Sequence, residues 1–269
     1  MQKITKNEGK QFRVCTIITN TFQYEAMKVS FIAAGFNQDK CSYSLFDNSA
    51  TNSHDPYDVI STTVAEAVEP YIIYCHQDIL LDQGHGYDEL ISIIQKLDFA
   101  DPSWAVLGNA GVTDDHRVIR RLRDPFGDNC DGDTKPEKVC SLDENFLVIK
   151  TASNIRCSAG LEGFHLYATD LCLQAAGARR SCYVISFHLT HLSRGRVDES
   201  FQTARANFQK QWSRQFRFRY VQTLCTTIFL SRNNAIQFFF SSYRVTHWLF
   251  SSPLRHKLLC RFSDRPYAS

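Results

Sequence analysis

Hydrophobic positions along the first hundred residues switch repeatedly between two spacings, one that suits a strand and one that suits a helix. Residues 12–19 (FRVCTIIT) predict a first strand, residues 25–34 a helix, and residues 43–47 (YSLFD) a second strand that ends on an acid followed by Asn48 and Ser49. Asp55-Pro56 is a helix start, a capping side chain ahead of a proline at the first helical position, and the helical spacing runs to Glu69. The run YIIYC at 71–75 predicts a third strand, residues 87–97 another amphipathic helix, and residues 104–111 (WAVLGNAG) a strand closing on small residues. Residues 113–138 are polar and glycine-containing and predict a long surface loop or irregular hairpin. A helix over 161–176 stopped by Gly177, and a late strand over 182–187 leading into HLTHLSRG, complete the pattern.

Alternation of strands and helices predicts an α/β protein with an open, mainly parallel sheet covered by helices, in which ligands gather at the carboxyl ends of the strands. The third strand has its polar end there, since His76, Gln77 and Asp78 follow YIIYC directly before the apolar pattern resumes at Ile79. An acid in that place can reach a divalent cation held against a diphosphate, because hard cations prefer oxygen ligands and often keep phosphate oxygens as partners. It equally suits a residue that caps the next turn.

Composition adds limits. The chain has 269 residues, 43% hydrophobic and 22% charged, and a formal net charge of +2, so the whole molecule makes no demand for nucleic acid. The polar N-terminal segment lacks a secretory pattern and no window offers a membrane span, which predicts a cytoplasmic protein. Ten cysteines are scattered with no C-x-x-C pair and read as reduced, mostly buried thiols. After Trp212 the composition changes: nine lysines and arginines stand against the single acid Asp264, among many aromatics. Two regions follow, a main domain over 1–212 and a basic, aromatic extension over 213–269, the latter read as a solvated, partly helical surface or as one suited to an anionic membrane surface on the inner face of the plasma membrane.

The order strand-DN, strand-HQD, WAVLGNAG, GFHLYATDLCL, HLTHLSRG and FQKQW resembles bacterial family-2-like glycosyltransferases of surface-polysaccharide or capsule synthesis. The resemblance spans roughly residues 12–212. It implies a GT-A-type α/β/α sandwich with a central, mainly parallel (mixed) sheet. It also implies inverting transfer from a nucleotide-sugar donor to a glycan or lipid-linked acceptor, with Mn2+ or Mg2+ as cofactor. By position, Asp78 and His191 are expected as metal ligands, with His76 in place of the first acid of the usual D-x-D. Thr19, Asn20, Thr21, Asp47, Asn48, His76 and Gln77 are expected around the donor. Asp170 matches the acceptor-side base, with His165 a rival because Tyr167 and Ala168 occupy the places of the usual E-D pair; Asp114, Asp115 and Glu162 are more distant candidates. Two other readings stay open: a nucleotide-sugar-binding protein without turnover, and a metal-dependent hydrolase built on His76, Asp78 and His191.

Overall fold

The computed structural model of the protein describes residues 9–195 and 198–263. Its first half is β1 (Phe12–Ile18), α1 (Thr21–Ala33), β2 (Cys41–Asp47), α2 (Pro56–Glu66), β3 (Tyr71–Cys75), β4 (Ile79–Leu80), α3 (Tyr87–Ala100) and β5 (Trp104–Gly108). Helix α1 starts ahead of the predicted Glu25 because Asn20 caps it, its side chain accepting from the N–H groups of Phe22 and Gln23. Asp55 caps α2 with Pro56 at the first position, as the sequence predicts. That helix ends at Glu66 rather than Glu69, whose carboxylate is drawn inward to accept from Arg13 at 2.9 Å and from the Ser42 hydroxyl. Gly86 precedes α3 where the chain crosses α1 closely: a Cβ there would lie 2.6 Å from the carbonyl oxygen of Ala34.

Next come β6 (Ala110–Val112), β7 (Val118–Asp124), β8 (Gly127–Cys130), β9 (Glu137–Val139), β10 (Ser141–Leu142) and β11 (Phe146–Lys150). Of the loop or irregular hairpin expected over 113–138, the hairpin is found, β7 pairing antiparallel with β8. Its pattern is masked because arginines occupy strand positions and are matched by acids, Arg120 with Asp131 and Arg123 with Asp128, each at 2.8 Å. The rest is α4 (Tyr167–Gly177), β12 (Ser181–Val184), β13 (Leu189–His191), α5 (Glu199–Ser213), β14 (Arg219–Gln222), β15 (Thr227–Leu230), α6 (Asn234–Phe240), α7 (Tyr243–Phe250) and α8 (Pro253–Phe262). Helix α4 begins at Tyr167 and not near Leu161, because Leu166 takes a left-handed conformation (φ 68°) that no helix can cross.

The main sheet has the order β2-β1-β3-β11-β5-β12-β9. Strands β2, β1, β3, β5 and β12 share one direction, and β11 and β9 oppose them. The fold is thus α/β with a central mixed sheet. Strand β11 (FLVIK), for which no element is predicted, lies between β3 and β5 with Phe146, Leu147, Val148 and Ile149 all buried, as befits a central strand. A second sheet runs β10-β6-β7-β13-β4, with β8 on β7. It meets the main sheet where β3 passes into β4.

Two apolar clusters cover the sheet faces. One holds Tyr57, Ile72, Leu147 and Leu171, and it continues past Trp212 into Phe216, Val221, Ile228 and Leu230, so the β14-β15 hairpin shares the core of the main domain. Of the expected basic surface, Arg219 is withdrawn, buried and ion-paired with Asp114 at 2.6 Å. Asp264 and Arg265, like the N-terminal residues 1–8, lie outside the described residues. The ten cysteines are all free, and burial raises thiols such as Cys15 to about 11 and Cys75 to about 12. Among the described residues, no helix is long and apolar enough to cross a membrane.

Candidate functional site

The site forms where β3 leaves the main sheet. The His76 N–H donates to the Asn145 carbonyl at 3.0 Å, and the Leu192 N–H donates to the Asp78 carbonyl at 2.9 Å. Strand β13 pairs antiparallel with β4, placing His191 opposite Ile79 and hence beside Asp78. One ligating atom from each of His76, Asp78 and His191 therefore lies within 4.8 Å of the other two. His191 Nε2 is 3.5 Å from Asp78 Oδ1, and the two imidazole centroids are 5.6 Å apart. The juxtaposition of His76 and Asp78 with His191, 113 residues further along the chain than Asp78, is what topology adds to sequence.

Burial alone would raise the Asp78 carboxyl, but the hydrogen bond and charge of His191 outweigh it and hold the acid at about 2. His76 moves the other way. Burial, then the neighbouring His191 charge, lowers it to about 4, so its ring is neutral near pH 7. For His191, burial would lower the imidazole, and Asp78 more than compensates, leaving it raised. Tyr167 packs its hydroxyl against the His76 ring, 2.9 Å from Nε2 and 3.2 Å from the Glu144 carbonyl. Two imidazoles and an ionised carboxylate suit a divalent cation, and the outer tyrosine is the kind of partner that orients a ligating ring.

Toward the front of the sheet, the Gln77 side chain is committed to the chain itself. Its oxygen accepts from the N–H groups of Thr19 and Asn20 at 2.8 and 2.9 Å, and its amide donates to Thr19 Oγ1. Gln77 thus ties the end of β3 to the β1-α1 turn, while Thr19, Asn20 and Thr21 stay exposed. Asp47 is exposed at the carboxyl end of β2, paired in register with Ile18, and accepts from the Ser49 N–H at 2.7 Å; the Ser49 side chain, and then its N–H, hold the Asp47 carboxyl below the usual range. Asn48 is buried and its amide is spent on the 48–54 loop, donating to Asn52 and the His54 carbonyl and accepting from Ser53 and His54. It shapes the wall beside Asp47 and offers nothing outward.

The expected base, Asp170, does not face this site. It is fully buried and accepts from the Ser158 N–H and hydroxyl at 2.7 and 2.6 Å and from the Trp212 indole at 2.8 Å. Burial raises its carboxyl against those three donors. With its lone pairs engaged inside the core by these three donors, it is a structural acid and not the expected base. His165 stands in the turn before α4, half-buried, near enough that its charge would lower that of His76. The Ser200 hydroxyl donates to Asp198 at 2.5 Å and so receives the His165 Nε2 proton at 3.2 Å, leaving Nδ1 as the basic nitrogen. Of the distant candidates, Asp114 is held by Arg219 and Asp115 by Thr113.

Glu144 was not expected. Antiparallel β11 starts where β3 ends, Phe146 opposite Cys75, so residues 143–145 lie beside His76. Burial, then the Asp143 charge, pushes Glu144 up to about 8 against the N–H of Leu166 that it accepts. The available signal was the acidic pair Asp143-Glu144 immediately ahead of an apolar run.

No family model matches the chain. The ORF 6 protein of the ATP synthase subunits region of Fuscovulum blasticum is 34% identical over 212 residues, covering 76% of this chain and 84% of that protein. Among solved structures, the mannosyltransferase PcManGT from Pyrobaculum calidifontis, in complex with GDP-Man and Mn2+, aligns at 8% identity and TM-score 0.48 over 76% of this chain and 62% of that one. GalNAc-T7 with UDP, GalNAc and Mn2+ aligns at 8% identity and TM-score 0.48 over 70% and 45%. S. aureus TarS 1-349 in complex with UDP-GlcNAc aligns at 13% identity and TM-score 0.49 over 76% and 64%. The chain spans less than two thirds of the length of each of these three structures.

Proposed function

The chain belongs to the family of the Fuscovulum blasticum ORF 6 protein, and we propose that it is a GT-A-type, divalent-cation-dependent glycosyltransferase. It moves a sugar from a nucleoside-diphosphate sugar to a hydroxyl of a glycan or lipid-linked glycan, with inversion. The observation that carries this reading is the convergence of His76, Asp78 and His191 at the carboxyl end of a central strand, with the exposed Asp47 at the end of β2 in the same sheet. Strand ends of an α/β sheet are where nucleotides bind, and an acid there can accept hydrogen bonds from a base.

The three residues would hold Mn2+ or Mg2+, which supplies charge neutralisation for the departing diphosphate. Asp47 accepts hydrogen bonds from the donor's base, and Gln77 keeps the Thr19-Thr21 turn in place beneath the nucleotide. His165 takes the proton of the acceptor hydroxyl on Nδ1 as that oxygen attacks the sugar, while Ser200 and Asp198 hold the ring. A neutral imidazole near pH 7 suits that task, and positioned base assistance contributes about 10²- to 10⁴-fold.

A surface role accompanies the chemistry. Phe238, Phe239, Tyr243, Trp248 and Leu254 are exposed on α6 to α8, alongside Arg232 and Arg244, a combination suited to the interface of an anionic membrane carrying the acceptor.

Titration calorimetry of the full chain with UDP and GDP, each with and without Mn2+, tests the reading. Metal-dependent binding lost in a folded Asp78→Ala variant is the expected result. Absence of binding to every nucleoside diphosphate overturns it, and release of free sugar from a nucleotide sugar without any acceptor transfers the site to hydrolysis.

A further inference from the structure

A second cluster of ligating side chains lies far along the chain from the first, where α8 meets the turn between β6 and β7. His116 sits in that turn in a left-handed conformation (φ 64°), its N–H donating to the Thr113 carbonyl at 2.9 Å. A β-branch-free but bulky residue held there is strained, and strain of this kind persists where the surroundings impose it. The ring is packed edge-on by Phe250, at 4.9 Å between centroids, and faces His256 at 5.1 Å. Its Nδ1 is buried and has no hydrogen-bond partner among the described residues. Leaving a buried ring nitrogen unmatched costs free energy that a ligand would recover.

His256 and Cys260 are one helical turn apart on α8 and so share a face. Cys260 Sγ is 3.8 Å from His256 Nε2, and ligating atoms of His116, His256 and Cys260 all lie within 4.8 Å of one another. For comparison, zinc bonds of about 2.0 Å to nitrogen and about 2.3 Å to sulfur at a tetrahedral angle put those two atoms roughly 3.5 Å apart. The neighbouring acids do not close the cluster: Asp114 is held by Arg219 and Asp115 by Thr113. A cleft of about 580 Å³, lined in part by Asp114, Asp115, Cys140, Arg219 and Cys260, opens beside it and gives water access to a fourth position.

We propose that His116, His256 and Cys260 form a second metal site, which takes a borderline-soft divalent cation of the zinc type and ties α8 to the β6-β7 turn. Thiolate and imidazole donors select this class over Mg2+ or Mn2+, whereas the oxygen-bearing first site suits the harder ions. On binding, the Cys260 thiol gives its proton to solvent and coordinates as thiolate.

Cobalt separates this site from the first, because only a thiolate ligand gives a sulfur-to-cobalt charge-transfer absorption. The full chain, reduced and freed of thiol reagents, is titrated with Co2+ and then with Zn2+. Expected are the charge-transfer band, its displacement by Zn2+, its loss in Cys260→Ser and His256→Ala, and its retention in Asp78→Ala. Circular dichroism confirms that each variant is folded. A folded wild-type chain that gives no band, or a band that survives in Cys260→Ser, overturns the proposal.

Discussion

The Trp212 indole donates to Asp170 Oδ1 at 2.8 Å, joining the last turn of α5 to the first turn of α4 inside the core. Asp170→Ala leaves this indole and both Ser158 donors unmatched in a buried space, at roughly 1 to 3 kcal/mol for each lost partner. The expected outcome is destabilisation of about 3 kcal/mol or more in urea unfolding. Asp170→Asn loses less, because the amide still accepts on one side. A loss under about 1 kcal/mol for Asp170→Ala would contradict the structural role.

His165→Ala should retain Mn2+-dependent nucleotide binding and lower acceptor glycosylation by about 100-fold or more. The measurement is initial rate against acceptor concentration, with calorimetry on the same preparation. Full transfer activity in the variant would return the base role to another group, and Glu144, next to His76 and shifted to about 8, is then the residue to change.

Asp47→Ala should weaken nucleotide binding while leaving the Mn2+ requirement in place, since the role proposed for Asp47 is to accept from the base and not to hold the metal. Equal affinity for wild type and variant would remove it from the donor site.

Acid sensitivity is expected at Asp101, which closes α3 onto β12. Burial alone would raise its carboxyl, but donors on Ser103, Tyr183 and Ser181 outweigh it and hold the acid at about 2. A group depressed in the folded state stabilises above its unfolded value, near 4, and that contribution disappears as pH falls through the folded one. Asp101→Asn should therefore be less stable than wild type at pH 7, and the gap should close between about pH 4 and pH 2 in parallel denaturation curves. A gap independent of pH would mean that the charge is irrelevant.

The membrane-surface reading is checked with a chain ending at Arg232, which keeps the β14-β15 hairpin in the core. Full-length protein should sediment with anionic vesicles at low salt and less so at high salt, and the shortened chain should not. Failure of the full-length protein to sediment at low salt would remove the membrane from the account.

Local signals made the first half of the fold legible. Asp55-Pro56, YIIYC and the helical spacing of residues 87–97 all state their element within a few residues. Strand β11 escaped because FLVIK is a short run of only five residues, and its central place depends on partners some 40 and 70 residues away. The long polar stretch left a loop and an irregular hairpin both open, and the hairpin is held by acids that match the β7 arginines, which a one-dimensional pattern cannot display. At the site, strand pairing brings His76, Asp78 and His191 together, whereas the partners that bury Asp170, Ser158 and Trp212, lie 12 and 42 residues away and leave no local signal.

The position of β11 also bears on how the protein assembles during synthesis. When residues through Gly108 have emerged, β1 can pair with β2 and β3, but the far edge of β3 and both edges of β5 still lack neighbours, because residues 146–150 and 181–184 come later. The backbone N–H and C=O groups along those edges would be unpaired, the condition that favours intermolecular pairing. A chain stopped after Gly108 is thus not a half-domain, since the edges of β3 and β5 stay open until β11, about forty residues later, fills the gap between them.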